Sequence, residues 1–312
     1  MSNLDEFLRE NEALLVADSV EHCLDLVRSG GRMGGPFYYY RGMSNAGYEL
    51  LTSLDRFPTD KLSGRLSERR WREQFLVEQF TKVAHNHVAA TSQPQGMFQW
   101  FSMMQHHGVP TRLLDITRSP YVALYFAVRD WQIATDAALW AFNPTAFHER
   151  ALHLLVTLGF PHEVSRQSIF HLREFVADSY FREAFLTGKY PIVVILEPAW
   201  ADLRLSSQQG AFLIAGSLEE AMDVSIATSL RDDSYMDREK AEFIRRGSLD
   251  WSVVKLVIPH ALKKKLASEL RRMNVHAGSL FPDLEGAARS IAELSSNDQF
   301  TDMTWRLDLH GD

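Results

Sequence analysis

Between residues 97 and 131 the chain carries two segments that are apolar on almost every side, joined by a short polar-studded stretch. Met97 to His107 contains Phe98, Trp100, Phe101, Met103 and Met104, and Pro120 to Trp131 contains Val122, Leu124, Tyr125 and Phe126. A helix without a polar face must be covered all round, so the fold has to be built about this pair. Gly108 is placed to end the first helix with positive φ. Val109-Pro110 forces an extended continuation, and Leu113-Leu114-Asp115-Ile116-Thr117 reads as a short strand. Ser119 caps the second helix, with Pro120 at its first position. Five polar side chains (Gln105, His107, Arg112, Asp115 and Thr117) thus lie beside segments that read as buried. Buried polar groups are costly unless paired, so these five predict a site or a tight internal network.

The rest of the chain falls around this centre. Apolar spacing over residues 4–28 predicts two short helices, the second capped by Asp18 or Ser19. Cys23 sits among Val20, Leu24 and Val27 and reads as a buried core thiol. The glycine cluster Gly30 to Pro36 lacks the strand before it and the helix after it that a phosphate loop needs, and reads as a connector. Phe37-Tyr38-Tyr39-Tyr40 is β-prone and ends in Arg41-Gly42. A long helix is predicted over 63–90. Strands are predicted at Ala137 to Phe142, Pro191 to Glu197, Ala211 to Ala215 and Val253 to Ile258, with a helical insertion over 144–188. Residues 216–250 read as polar and exposed. The helix from Ala261 to Met273 places Lys263, Lys264 and Lys265 on a solvated face, and a last helix opens at Phe281 and ends near Leu294.

Several function classes are disfavoured. A net charge of −7 and a pI near 6.0 argue against a general nucleic-acid binder. The single cysteine excludes an intrachain disulfide framework and fits a reducing compartment. No apolar run reaches the roughly 18 residues of a membrane span, and no basic region followed by an apolar run marks a secretory leader; the expectation is a cytoplasmic protein without membrane contact. His85/His87 and His106/His107 lack a third ligand at suitable spacing, so no metal is expected. What remains is Arg41 after the aromatic strand, Asp115 and Thr117 after Leu113-Leu114, and Gln208-Gln209 before the Ala211 strand, with Arg204 close by. Arg41 reads either as a fixed fork for an anion or as one half of a structural ion pair, with Asp115 as its partner. Asp115 reads equally as a cap, and the glutamines as satisfiers of a strand edge.

These residues together resemble the FRG domain, a family named for a Phe/Tyr-Arg-Gly motif. The motif here is Tyr40-Arg41-Gly42. Leu51-Thr52-Ser53-Leu54-Asp55-Arg56 resembles the family's L-x-P-S-L-x-R element, and Gln105 to Ala127 its most diagnostic block. Ser207-Gln208-Gln209-Gly210-Ala211-Phe212 resembles its Q-x-G-x-F element, and Leu280-Phe281-Pro282-Asp283-Leu284 its C-terminal signature. The resemblance spans about residues 37 to 290. It implies an N-terminal helical extension over 1–36, an FRG domain over 37–295 and a C-terminal tail over 296–312.

A more distant likeness is to ADP-ribosyltransferases. Their first block is a strand ending in an arginine that holds NAD. Their second is a Ser-Thr-Ser strand followed by an Ala-x-x-Phe-Ala helix, to which Asp115-Ile116-Thr117 and Ala123 to Ala127 are similar. The likeness implies an α+β fold, an ADP-ribosyltransferase-like mixed sheet core with N-terminal and inserted helices. It also implies NAD or a related nucleotide as ligand, with Arg41, Gly42, Thr117, Arg112, His107 and Gln105 on the binding side. Gln208 and Asp115 fall on the reacting side. The sequence departs from that pattern at Gly210, where those enzymes carry the catalytic glutamate; Asp115 or Glu197 would have to supply the carboxylate. The alternative is a non-catalytic ligand-sensing or protein-interaction module, of the kind found in bacterial defence or toxin systems.

Overall fold

A computed structural model describes residues 3–28, 33, 38–56, 66–88, 93–94, 96–157, 192–198, 202–231 and 252–295. The chain begins with α1 (Asn3–Glu10), β1 (Leu14–Val16) and α2 (Val20–Val27), followed by β2 (Tyr39–Met43). Helices α3 (Leu66–Ala84) and α4 (Met97–His106) lead to β3 (Leu113–Thr117), α5 (Pro120–Val128) and β4 (Ala137–Phe142). Then come α6 (Pro144–Thr157), β5 (Val193–Leu196), α7 (Leu203–Ser207), β6 (Gly210–Ala215) and α8 (Met222–Arg231). Strand β7 (Val253–Ile258) precedes α9 (His260–Arg272), α10 (Ala277–Leu280) and α11 (Leu284–Ser295).

All the strands among the described residues join one mixed sheet in the order β1-β7-β4-β2-β3-β6-β5. Only β1 and β7 run parallel; every other neighbouring pair is antiparallel. Side chains alternate across a strand, so each strand feeds two layers. One face carries a single apolar layer with Leu114, Ile116, Trp140, Phe142 and Leu213, covered by α1 and α8. The opposite face carries two. Tyr40, Leu139 and Leu256 pack under α2, α5 and α9, while Leu113, Phe212 and Ile214 pack under α4. The boundary between those two layers falls at the β2–β3 seam, which is stitched by a single register pair, Tyr40 with Thr117.

Helix α5 forms as the sequence dictates. Ser119 accepts a hydrogen bond from the Val122 amide, Pro120 opens the helix, and six of its nine residues are buried. Each fully buried Val or Leu there contributes about 1.5–3 kcal/mol. The helix lies so close to β2 that a Cβ on Gly42 would stand 1.7 Å from the Ala123 carbonyl oxygen. Helix α4 ends where expected: Gly108 has φ of +80°.

Three expectations are corrected. Leu14 and Leu15 are not helical. Asn11 and Glu12 break α1, Glu12 with φ of +54°, and the segment pairs with β7, the Lys255 amide donating to the Ala13 carbonyl at 3.0 Å. Residues 3–28 therefore supply an edge strand and, through α2, part of the core. Residues 216–250 are not uniformly exposed: α8 buries Met222, Ile226, Ala227 and Leu230. Lys263 is not on a solvated face. It is fully buried, and its Nζ donates to the carbonyls of Ser44, Ile133 and Thr135 at 3.4, 3.2 and 3.2 Å. That bridge fixes the loop after β2 to the loop after α5. In α3, Trp71 and Phe75 are exposed and stack on each other, centroids 5.4 Å apart. The glycine connector, apart from fully buried Met33, and most of the 144–188 insertion lie outside the described residues.

Candidate functional site

The open seam between β2 and β3 has a consequence for polar residues. Beyond Tyr40 and Thr117 the two strands are not paired with each other, and neither apolar layer on that face covers Asp115, which is exposed although its strand neighbours are buried. A cleft of about 350 Å³ lies there, within the range typical of small-ligand sites. It is lined by Tyr40, Arg41, Gly42 and Ser44 of the β2 end, Asp115, Ile116 and Thr117 of β3, and Arg204, Leu205, Gln208 and Gly210 around α7. Phe126, Arg129 and Asp130 from the end of α5, together with Tyr48 and Arg56, complete the wall.

Arg41 spans the seam. Its Nη1 donates to the Asp115 carbonyl oxygen. Its Nε is buried without a hydrogen-bond partner. Burial pushes the guanidinium below its usual pKa; the Asp115 carboxylate opposes that, and the Arg56 charge adds to it. A guanidinium that is desolvated, short of one acceptor and close to a second cation is the arrangement an anion relieves.

Asp115 is positioned from behind. Gln105 Nε2 donates to its Oδ1 at 2.7 Å, and the Gln105 carbonyl end accepts from the Thr111 hydroxyl. Thr117 donates to the Gln208 carbonyl at 2.6 Å and accepts from the Ser119 amide at 3.0 Å. Gln208 caps α7, with Nε2 donating to the Leu280 carbonyl at 3.1 Å. Asp202 caps the other end of α7, accepting from the Leu205 amide at 2.8 Å, and His106 Nδ1 lies 2.8 Å from its second carboxylate oxygen. The adjacent His106 therefore anchors α7 to the end of α4.

Arg41, Gly42, Asp115, Thr117 and Gln208 meet in this cleft, whereas Gln105, His107 and Arg112 do not line it. Gln105 stands behind Asp115. His107 is exposed at the end of α4, its ring 6.1 Å from that of Phe80. Arg112 is 2% exposed and forms a two-pronged ion pair with Glu73, itself 4% exposed, with a further bond to the Ala215 carbonyl. Glu197 does not reach the cleft either: it accepts from the Tyr39 hydroxyl and pairs with Arg118, a tie between β2 and β5. That contact, with burial as the larger cause, raises the Tyr39 hydroxyl pKa to about 12.

Gly210 faces Leu205. A Cβ at 210 would lie 2.2 Å from Leu205 Cδ1 and 3.1 Å from its Cγ. A carboxylate at this position would need Leu205 to turn away. Cys23 is buried and burial lifts its thiol to about 12, which disfavours the thiolate that a nucleophile needs. Among the described residues no three His, Cys, Asp or Glu side chains gather closely enough to hold a metal ion, and no helix is long and apolar enough to cross a membrane.

Sequence reasoning missed Tyr48, Phe126, Arg129, Asp130 and Leu205 as cleft residues, and gave Arg56 and Arg204 no role. Arg56 had a signal, since it closes a family motif, and Arg204 another, since it precedes Gln208 on one helical turn. Phe126 and Arg129 had none, because their segment reads as core.

Residues 37–135 match the family model described as the FRG domain. That stretch carries Arg41, Arg56, Asp115 and Thr117; Arg204, Gln208 and Gly210 lie beyond it. No curated protein and no solved structure matches the chain.

Proposed function

We propose, from the premise that this chain carries an FRG domain over residues 37–135, that the cleft at the β2–β3 seam binds NAD or a related nucleotide. One observation carries the reading. Arg41, half-buried and with a buried, unpartnered Nε, opens into the same cleft as Asp115, Gln208, Arg56 and Arg204. Arginines outnumber aspartates among the lining residues, four to two, and Asp130 is paired with Arg129 at 3.4 Å. The surplus suits a phosphorylated ligand, and Tyr48 and Phe126 offer aromatic surface to a base.

In this reading Arg41 holds phosphate or ribose oxygens. NAD bound there would supply a ribose–nicotinamide bond whose electron pair leaves on nicotinamide while the ribose carbon is captured by water. Asp115, kept in place by Gln105 and exposed in the cleft, would be the carboxylate that favours positive charge on the ribose. A second reading, a ligand sensor without turnover, is favoured by Leu205 standing against Gly210, where the likeness to ADP-ribosyltransferases asks for glutamate.

Incubation of the protein with NAD, followed by nicotinamide and melting temperature, tests both. The expected result is an NAD-dependent rise in Tm that Arg41→Ala abolishes and Arg41→Lys weakens, with nicotinamide release lost in Asp115→Asn. A rise in Tm without release selects the sensor. Neither rise nor release overturns both. An Arg41 that is purely structural shows as a lower Tm without ligand and an unchanged ligand response.

A further inference from the structure

Two arginines share one phenylalanine ring. The Arg204 guanidinium carbon lies 4.9 Å from the Phe281 ring centroid, and that of Arg289 lies 5.1 Å from it. Arg289 has a carboxylate: Glu285, one turn earlier on α11, accepts from its Nη2 at 2.8 Å. Among the described residues Arg204 forms no ion pair and no side-chain hydrogen bond. Its neighbour in sequence, Asp202, is already engaged. One oxygen accepts from the Leu205 amide and the other lies 2.8 Å from His106 Nδ1. The two arginines also differ in place, since Arg204 lines the cleft and Arg289 does not.

The ring beneath Arg204 is itself held in place. Phe281 is buried, and Phe126 meets it edge to face at 6.1 Å. Helix α11 closes over its backbone: a Cβ on Gly286 would stand 2.1 Å from the Phe281 carbonyl oxygen. One residue earlier, the Leu280 carbonyl accepts from Gln208 Nε2 at 3.1 Å, which ties the end of α7 to the same segment. The Thr117 hydroxyl on the Gln208 carbonyl ties that end to β3 as well. Stacking fixes a guanidinium in direction while leaving its N–H donors for another partner. A cation with a set direction, no counter-charge and a place in the wall of a cleft suits an anionic group of a ligand.

We infer that Arg204 contacts the ligand of the cleft, donating to a phosphate oxygen of the nucleotide, and that Phe281, behind the cleft wall, is the residue that positions it. The inference rests on the nucleotide reading above and extends its site. The binding unit then runs beyond residue 135, where the family match ends, to α7 and to the end of α10. Arg289, on the same ring but paired and outside the cleft, takes no part in binding.

Calorimetric titration of the full chain with NAD tests this, in the parent and in Arg204→Met, Phe281→Leu, Arg289→Met and the Arg204→Met/Phe281→Leu double variant. Arg204→Met keeps the packing over the ring without the charge and is expected to weaken NAD about tenfold, the worth of one charge-assisted contact. That loss should shrink between about 50 mM and about 300 mM salt, where an ionic contact is screened. Phe281→Leu lowers Tm without ligand and weakens NAD in the parent background, but adds nothing once Arg204 is replaced. Arg289→Met leaves the affinity unchanged. NAD binding by the parent with Arg204→Met unchanged overturns the inference while nucleotide binding stands. So does an Arg289→Met loss equal to that of Arg204→Met. Additive losses from Arg204→Met and Phe281→Leu overturn the positioning role, because Phe281 then acts through the fold at large. No NAD binding by the parent overturns both this inference and the reading it rests on.

Discussion

Arg41 reaches across the seam between β2 and β3 to the backbone carbonyl of Asp115, not to its carboxylate. The carboxylate is held instead by Gln105 at 2.7 Å. The difference matters. A guanidinium–carboxylate fork would neutralise both groups and close the cleft. A bond to the carbonyl stitches the seam yet leaves the cation with a buried, unpartnered Nε and the anion exposed beside it. The alternatives left open by the sequence, anion fork or structural ion pair, are thereby separated in geometry: Arg41 has a structural contact and unspent hydrogen-bonding capacity.

The two close-packed glycines that line the cleft, Gly42 and Gly210, are expected to respond differently to one added methyl. At Gly42 the methyl meets backbone, the Ala123 carbonyl oxygen at 1.7 Å, so α5 must move off the sheet. At Gly210 it meets the end of the Leu205 side chain, which can change rotamer. Gly42→Ala should cost about 3 kcal/mol or more, the upper end for overpacking, and Gly210→Ala about 1 kcal/mol, near the cost of a strained rotamer. Urea denaturation of both variants checks this; equal losses would show that α5 is not pinned against Gly42.

The buried pair of Arg112 and Glu73 should behave as scaffold. Glu73→Ala leaves an unpaired guanidinium under α3 and is expected to cost about 3–5 kcal/mol, measured by chemical denaturation. The milder Glu73→Gln keeps one hydrogen-bond acceptor and should fold. Its nucleotide Kd, by titration calorimetry, should equal that of the parent, because Arg112 does not line the cleft. A tenfold change in Kd would place Arg112 in ligand binding after all.

His148 makes stability depend on pH. It is buried, its Nε2 donates to the Ile195 carbonyl at 3.1 Å, and its Nδ1 has no partner. Burial lowers its pKa from 6.5 to about 4, the bond to Ile195 opposing. The unfolded chain thus binds a proton at higher pH than the folded one. This contribution is fully present above pH 6.5 and is lost as pH falls from 6.5 to about 4, where it levels off. The full loss is about 3 kcal/mol. Urea midpoints between about pH 7.5 and pH 4.5 should fall more steeply for the parent than for His148→Gln; parallel curves would remove His148 as the cause.

Much of the local structure was written in the sequence, for local reasons. Strands β4 and β7 are short β-rich apolar runs, α5 has its Ser119-Pro120 start, and α4 has its glycine stop. These are decided by dihedral preference, capping and side-chain period within a few residues. The elements that were missed depend on distant partners. Leu14-Leu15 fits a helix or a strand equally until β7, some 240 residues later, offers its edge. Lys263 belongs on a solvated face by composition, and is buried because three carbonyls from two other loops receive its ammonium. Met222 to Leu230 reads as polar surface until α1 covers it.

The site divides in the same way. Sequence alone selected Tyr40-Arg41-Gly42, Asp115, Thr117 and Gln208-Gln209-Gly210 as residues that belong together, because motif order survives without coordinates. It could not tell Arg41 from Arg112, since two guanidiniums beside apolar strands are chemically alike. Tertiary structure made that choice: Arg112 emerges opposite Glu73 and is fully engaged, while Arg41 emerges at a seam where two strands share one register pair, and one of its donors is left unmet. It also brought Arg56 and Arg204 into the same cleft. Charge and hydrogen-bonding type are properties of a residue, but whether they are already satisfied is decided by what the fold places within about 3 Å of them.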